Sequence, residues 1–219
     1  MPQPLGTKTA GDVKSWVTEQ FGDIANVQLS DSKLFRWMNM AMLEICTRDA
    51  KAYQGRWTIS SVAGTNEYSY PQGLLHIDMV KFSNTVLRPM SFERIQLQTD
   101  DAFTGERGAP EFYAQQANYL YVWPVPDSVA TITIYGSAKP TEVAVLSDLL
   151  PLADRFFPRI CEYTLACAQE LDEDYEAAAA KRTMFEDMLK VGQNSEDAMR
   201  GAPYPQMGDP DEEVWYFYA

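Results

Sequence analysis

Apolar residues recur along this chain with two different periods, and the changes of period divide it into three stretches. In the first, Val13, Trp16, Val17 and Phe21 share one face at helical spacing. A helix over residues 9–21 follows, with Thr9 as its cap, Asp12 at the third helical position and Gly22 as its stop. A second helix opens at Ser30 with Asp31 in its first turn, where the helix dipole favours an acid. Leu34, Trp37, Met38, Ala41, Met42 and Ile45 carry it to about Ala50. A stripe so rich in Met and Trp suits a core face or a greasy partner groove, and core packing is the simpler reading.

From Arg56 the period falls to two. Residues 57–62 and 67–70 read as strands on either side of a turn at 63–66. Residues 77–82 and 86–88 flank Ser83-Asn84 as a hairpin, and Pro89 ends its second strand. Ser91 can cap a short helical turn over 92–97, and residues 99–109, polar and unpatterned, form a long exposed loop. Three strand-like runs then follow almost without interruption: residues 112–116, 119–125 and 131–135. Ala117-Asn118 turns the first into the second, Asn being the residue that tolerates positive φ. Pro126-Asp127-Ser128 separates the second from the third. Pro124 and Pro126 cannot donate to a ladder, so the second run ends or lies at an edge there. The arrangement expected is an antiparallel meander, with six or seven short strands in a sandwich or partly closed barrel.

After Lys139-Pro140 the pattern becomes helical. Pro158 fits only a first turn, since deeper in a helix it would cost roughly 3 kcal/mol. The helix therefore starts near Phe156 or Phe157 and runs to about Leu171, with Ile160, Tyr163, Cys167 and Leu171 on one stripe. Asp172-Glu173-Asp174 breaks it and caps another, lined on one side by Tyr175, Ala178, Arg182, Phe185 and Leu189 and closed by Lys190 and Gly192. The two make an antiparallel αα-hairpin. The fold class is thus α+β: an antiparallel β-sandwich or meander preceded by two helices and followed by a C-terminal αα-hairpin and an extended tail. The divisions are N-terminal helices (1–55), a β domain (56–140), a helical hairpin packing with the N-terminal helices (141–192), and an extended C-terminal arm (193–219).

Charge narrows the function. The net charge is −13 over 219 residues, and residues 142–219 hold 17 acids against 6 bases. Tight nucleic-acid binding needs the opposite sign on some face, so DNA can pass such a surface without sticking to it. The N-terminus lacks the apolar core of a signal peptide, and no stretch approaches the roughly 20 apolar residues of a membrane span. Cys46, Cys161 and Cys167 read as free buried thiols in a reducing compartment.

The chemistry is sparse. His76 is the single histidine, so no His-based metal site or Ser–His relay is assembled. Cys161 and Cys167 lie six apart on a helix and diverge around its axis. The acids Glu170, Asp172, Asp174 and Glu176 lack the glycine and terminal glutamate of a calcium loop and suit a helix start. Asp100, Asp101 and Glu106 could be paired carboxylates of a glycosidase, but a solvated loop accounts for them. No phosphate-binding glycine loop and no nucleophile elbow is present. Neither cofactor nor metal is expected, and the chain is not read as an enzyme.

Four segments carry a resemblance. The run G-A-P-E-F-Y at 108–113 with N-Y-L-Y-V-W-P-V-P-D at 118–127 resembles the head–tail adaptor (connector) proteins of tailed bacteriophages. A-G-T-N-E-Y-S-Y-P at 63–71 is similar to that family's A-G-T-x-E-Y-x-L-P, with Tyr70 in place of Leu. L-R-P-M at 87–90 resembles its L-R-P-I-S element, and F-P-R-I-C-E-Y-T-L-A at 157–166 its F-H-P-x-L-x-x-Y-A-L helix. The four stand in the family's order and cover about residues 9–192.

The resemblance implies a ring, commonly of twelve copies, beneath the portal protein at the head–tail junction of the virion, assembled in the host cytoplasm. Such a homo-oligomer lengthens the DNA channel, lets genomic DNA through without specific binding, touches no membrane, and offers a platform to tail or nozzle proteins. On that frame Glu170, Asp172, Glu173, Asp174 and Glu176 are expected to face the channel, and Glu186 and Asp187 less so. Asp100, Asp101, Phe103, Glu106 and Arg107 form a loop facing tail proteins or a neighbour. The terminal Val214, Trp215, Tyr216, Phe217 and Tyr218 are too apolar to stay in water and form an arm for the portal or a neighbouring subunit. The alternatives are a virion-associated muralytic enzyme working from the 100–106 loop, and a monomeric β-sandwich binding a carbohydrate or peptide.

Overall fold

The computed structural model describes residues 6–23, 28–98 and 107–200. Helix α1 (Ala10–Phe21) begins as its sequence requires. The Asp12 N–H donates to Thr9 Oγ1 at 3.2 Å, and the Thr9 N–H donates to Asp12 Oδ2 at 2.8 Å. Those bonds from Thr9 hold the Asp12 carboxyl below the usual carboxylate range. Gly22 closes the helix at φ 83°, a conformation glycine adopts without steric cost. In α2 (Asp31–Arg48), Ser30 stands at the cap position but makes no cap bond. Leu34, Met38, Ala41, Met42 and Ile45 are fully buried, so the apolar stripe is core.

Helix α3 (Phe92–Gln98) is the short turn capped by Ser91, whose Oγ accepts from the Arg94 N–H at 3.2 Å. Residues 154–156 form one 3-10 turn, and α4 (Phe157–Leu171) follows with Pro158 in its first turn. A single buried stripe was expected here. Instead residues 160–168 are buried without a gap, because α1, α2 and α5 (Tyr175–Arg200) cover the helix from different sides. Its one buried acid, Glu162, is met by the Lys181 ammonium at 3.0 Å. The stripe is also shorter than expected: Leu171 and Tyr175 are exposed, beyond the reach of the packed helices. On α5, Ala178, Phe185 and Leu189 are buried, and the Phe185 ring meets Tyr163 edge-on, centroids 5.1 Å apart.

Lys190 and Gly192 do not close α5, which continues to Arg200. A helical glycine costs only about 1 kcal/mol against alanine, and the good formers Gln193, Glu196, Ala198, Met199 and Arg200 follow it. The helix thus runs past the boundary expected at 192.

The β part contains ten strands among the described residues: β1 (Gln54–Ser60), β2 (Glu67–Ser69), β3 (Leu74–Phe82), β4 (Thr85–Val86), β5 (Arg88–Pro89), β6 (Arg107–Gly108), β7 (Phe112–Gln116), β8 (Tyr119–Trp123), β9 (Val125–Pro126) and β10 (Thr131–Ala138). They form sheets of order β1-β10-β3-β4 and β2-β8-β7-β5, with a parallel pair β6-β9. Tyr68, Leu74, Ile77, Val80, Phe82, Leu87, Leu120, Val122, Ile132 and Ile134 fill one core drawn from both main sheets. This is the sandwich of an α+β fold.

Strand connections differ from the expected meander. β7 and β8 pair as a hairpin, but β10 crosses to the other sheet and lies between β1 and β3. Ser61 fixes that crossing: its N–H donates to the Ala130 carbonyl at 2.7 Å, and its Oγ accepts from the Ala130 N–H at 2.7 Å. Strands β1 and β2 likewise belong to different sheets, so the 63–66 turn passes between layers instead of closing a hairpin. Tyr68 pins that turn, its hydroxyl donating to the Thr65 carbonyl at 2.6 Å. The 86–88 strand divides at the buried Leu87, and β5 pairs in parallel with β7. The 119–125 run stops at Trp123 and resumes as β9, Pro124 having no N–H to give the ladder. At the Ala117-Asn118 and Ser83-Asn84 turns the left-handed residue is the one before the asparagine, Ala117 at φ 50° and Ser83 at φ 54°.

Layer joins layer at β10 and α2, where buried Ser137 donates from Oγ to the Cys46 carbonyl at 3.1 Å. Beside it Gly136 permits the close approach of β3, since a Cβ there would stand 2.0 Å from the His76 carbonyl oxygen.

Candidate interaction surfaces

The acidic run sits at the tip of the αα-hairpin. Glu173 takes a left-handed conformation, φ 62°, and Asp174 Oδ1 caps α5 by accepting the Ala177 N–H at 3.1 Å. Asp172, Glu173, Asp174 and Glu176 are exposed and form no ion pair among the described residues. Glu170 differs. The Arg182 guanidinium grips it twice, Nε at 2.6 Å and Nη2 at 3.0 Å, and also lies over the Tyr163 ring. That fork holds the Glu170 carboxyl below its ordinary range and pushes the Arg182 pKa up. Glu186 and Asp187 are compensated as well, by Arg48 and by Lys190. Among the described side chains of the αα-hairpin, the acids left without an ion pair are therefore the four carboxylates at its tip.

Of the expected loop, Asp100, Asp101, Phe103 and Glu106 lie outside the described residues. Arg107 is exposed but belongs to strand β6, in register with Val125 of β9. Val214, Trp215, Tyr216, Phe217 and Tyr218 also lie outside the described residues.

One surface escaped the sequence reading. Opposite its core stripe α2 presents Arg36, Met40 and Leu43, and with Phe35, half-buried at the edge of the core, and Lys139, Pro140 and Glu142 these line a groove of about 420 Å3. Met40 and Leu43 keep 43% and 38% of their surface in water. Asn39 fixes the far wall. Its Nδ2 donates to the Val143 carbonyl at 3.0 Å, and its Oδ1 accepts the Val143 N–H at 2.9 Å. The spacing 36, 40, 43 was a legible signal of a second helix face, masked by the stronger stripe beside it.

Groups suited to chemistry stay apart. His76 is exposed on β3, facing Ser137 in the ladder. The thiols of Cys46 and Cys161 are pushed up to about 12 by burial, and that of Cys167 is raised for the same reason. No cluster of three or more His, Cys, Asp or Glu that could hold a metal occurs among the described residues. No helix among them is long and apolar enough to cross a membrane.

A sandwich braced by a helical layer, whose prominent features are an acidic tip and an apolar groove, has the makings of an assembly module. Its sequence then places it: over residues 8–206 the chain matches the SU10 adaptor protein family, and it belongs to that family of phage head–tail adaptors. The match bears out the resemblance carried by the four segments, and extends it slightly at both ends. The chain is thus a structural adaptor of a phage. No curated protein matches it.

Proposed function

We propose that copies of this protein close into a ring beneath the portal at the head–tail junction of the virion, extend the DNA channel, and give tail or nozzle proteins their attachment surface. The observation that carries the reading is the family match over residues 8–206, which takes in the N-terminal helices, both sheets and the whole αα-hairpin. Charge agrees with it. Asp172, Glu173, Asp174 and Glu176 repel the phosphate backbone, so a channel they lined would let DNA slide without arrest, whereas Glu170, paired with Arg182, adds little to that repulsion. The loop of Asp100, Asp101, Phe103 and Glu106, with Arg107 following in β6, faces tail proteins or a neighbour on this reading. The arm of residues 214–218 binds the portal or the adjacent adaptor. Assembly takes place in the host cytoplasm, and the ring has about twelve copies, as the resemblance implies.

Light scattering on the purified protein, alone and mixed with the portal of the same phage, tests this. A stoichiometric complex whose mass matches a ring on the portal is expected. A chain that ignores the portal at micromolar concentration would overturn the proposal. Cell-wall hydrolysis lost on Asp101→Asn or Glu106→Gln would replace it with the muralytic reading.

A further inference from the structure

We propose that the groove on the outer face of α2 is the receptor for the C-terminal aromatic segment, residues 214–218, of the adjacent copy of this chain. The inference rests on the ring reading and adds a site to it.

The groove is built to receive an apolar segment. Phe35, Met40, Leu43 and Pro140 give it apolar walls, and its volume of about 420 Å3 falls in the range that holds a few large side chains. Its far wall is tied to α2, because the Asn39 amide accepts from the Val143 N–H and donates to the Val143 carbonyl. Met40 and Leu43 lose water only if something covers them, and no described part of the chain does.

The sequence supplies an occupant of matching chemistry. Residues 201–219 hold no lysine or arginine, and Asp209, Asp211, Glu212 and Glu213 lead into Val-Trp-Tyr-Phe-Tyr-Ala. On the groove's rim Arg36 is exposed and forms no ion pair among the described residues, whereas Lys139 is held by Glu142 at 2.7 Å. Arg36 is thus the cation available to the acids that precede the aromatic run. In an extended segment Trp215 and Phe217 point to one side and Tyr216 and Tyr218 to the other. The first pair fills the groove, and the tyrosine hydroxyls remain in water at its edge. The 19 residues after Arg200 span at most about 65 Å, ample to reach the next subunit. A tail laid into a neighbour's groove is a head-to-tail contact, the kind that repeats around a closed ring and leaves no groove empty.

Disulfide trapping in the full chain tests this. The pair Leu43→Cys with Phe217→Cys is made, with Met40→Cys as an alternative to Leu43→Cys should the first perturb folding. The three native thiols are buried, so a mild oxidant reaches only the introduced ones. After assembly on the portal, non-reducing electrophoresis should show a ladder of covalent multimers that either single variant lacks. Arg36→Glu should cut the yield about fivefold, and Glu212→Lys with Glu213→Lys should restore it. Rings that form but give no covalent product, or only a link within one chain, would overturn the site while leaving the ring intact. Absence of the ring by light scattering on the same sample would overturn both.

Discussion

Phe185→Ala probes the packing of α5 on α4, which carries the acidic tip. Phe185 keeps 2% of its surface exposed and meets the Tyr163 ring at 5.1 Å and an interplanar angle of 67°. Truncating a buried phenylalanine costs about 3–5 kcal/mol, of which the ring pair accounts for about 0.5–1.5. In a domain of this size each kcal/mol lowers Tm by about 2–4 °C, so a fall of roughly 6–20 °C is expected. Urea unfolding followed by far-ultraviolet circular dichroism measures the same quantity, with an unchanged slope showing that the folded state is intact. Phe185→Leu keeps most of the volume and should cost about 1–1.5 kcal/mol. Met184→Ala, one residue earlier and 43% exposed, should stay within about 0.5 kcal/mol. A loss under about 1 kcal/mol for Phe185→Ala, or equal losses at 184 and 185, would refute the docking of α5 through this face.

Gly136→Ala should destabilise by about 3 kcal/mol or more, read by the same unfolding assay, because its methyl meets the His76 carbonyl of the neighbouring strand at 2.0 Å. Glu170 is ionised more readily in the folded chain than in the unfolded one, so its contribution is present above its ordinary pKa and lost as pH falls through the lower folded value. Arg182→Gln should therefore flatten the stability profile below about pH 4.5, and an unchanged profile would show that the pair contributes nothing. With thiols raised by burial, none of Cys46, Cys161 and Cys167 should react with a disulfide reagent at pH 8 in the native protein, and all three should react in denaturant.

Local signals proved legible and partner choice did not. Thr9, Asp12 and Gly22 bound α1 because caps act on the backbone within a turn, and Pro158 placed the start of α4 for the same reason. Which strand pairs with which depends on contacts far apart in sequence. The short link from β9 to β10 suggested a meander, yet Ser61, some seventy residues earlier, holds that link and sends β10 into the other sheet. Helix α5 runs past its expected end because Gly192 is a stop only when it takes the left-handed conformation, and here the helix continues through it. Among site residues, the exposure of Asp172, Glu173, Asp174 and Glu176 followed from sequence, but the capture of Glu170 by Arg182 needed both helices in place. The α2 groove was hidden for a similar reason: its second wall comes from residues 139–143, about a hundred positions away.

Imaging the neck of the phage particle to side-chain detail by electron cryo-microscopy tests the central claim most directly. The account predicts this fold repeated around the axis between portal and tail, with the αα-hairpin tips of Asp172, Glu173, Asp174 and Glu176 toward the DNA. A neck without this chain, or the chain found as isolated copies elsewhere on the particle, would contradict it.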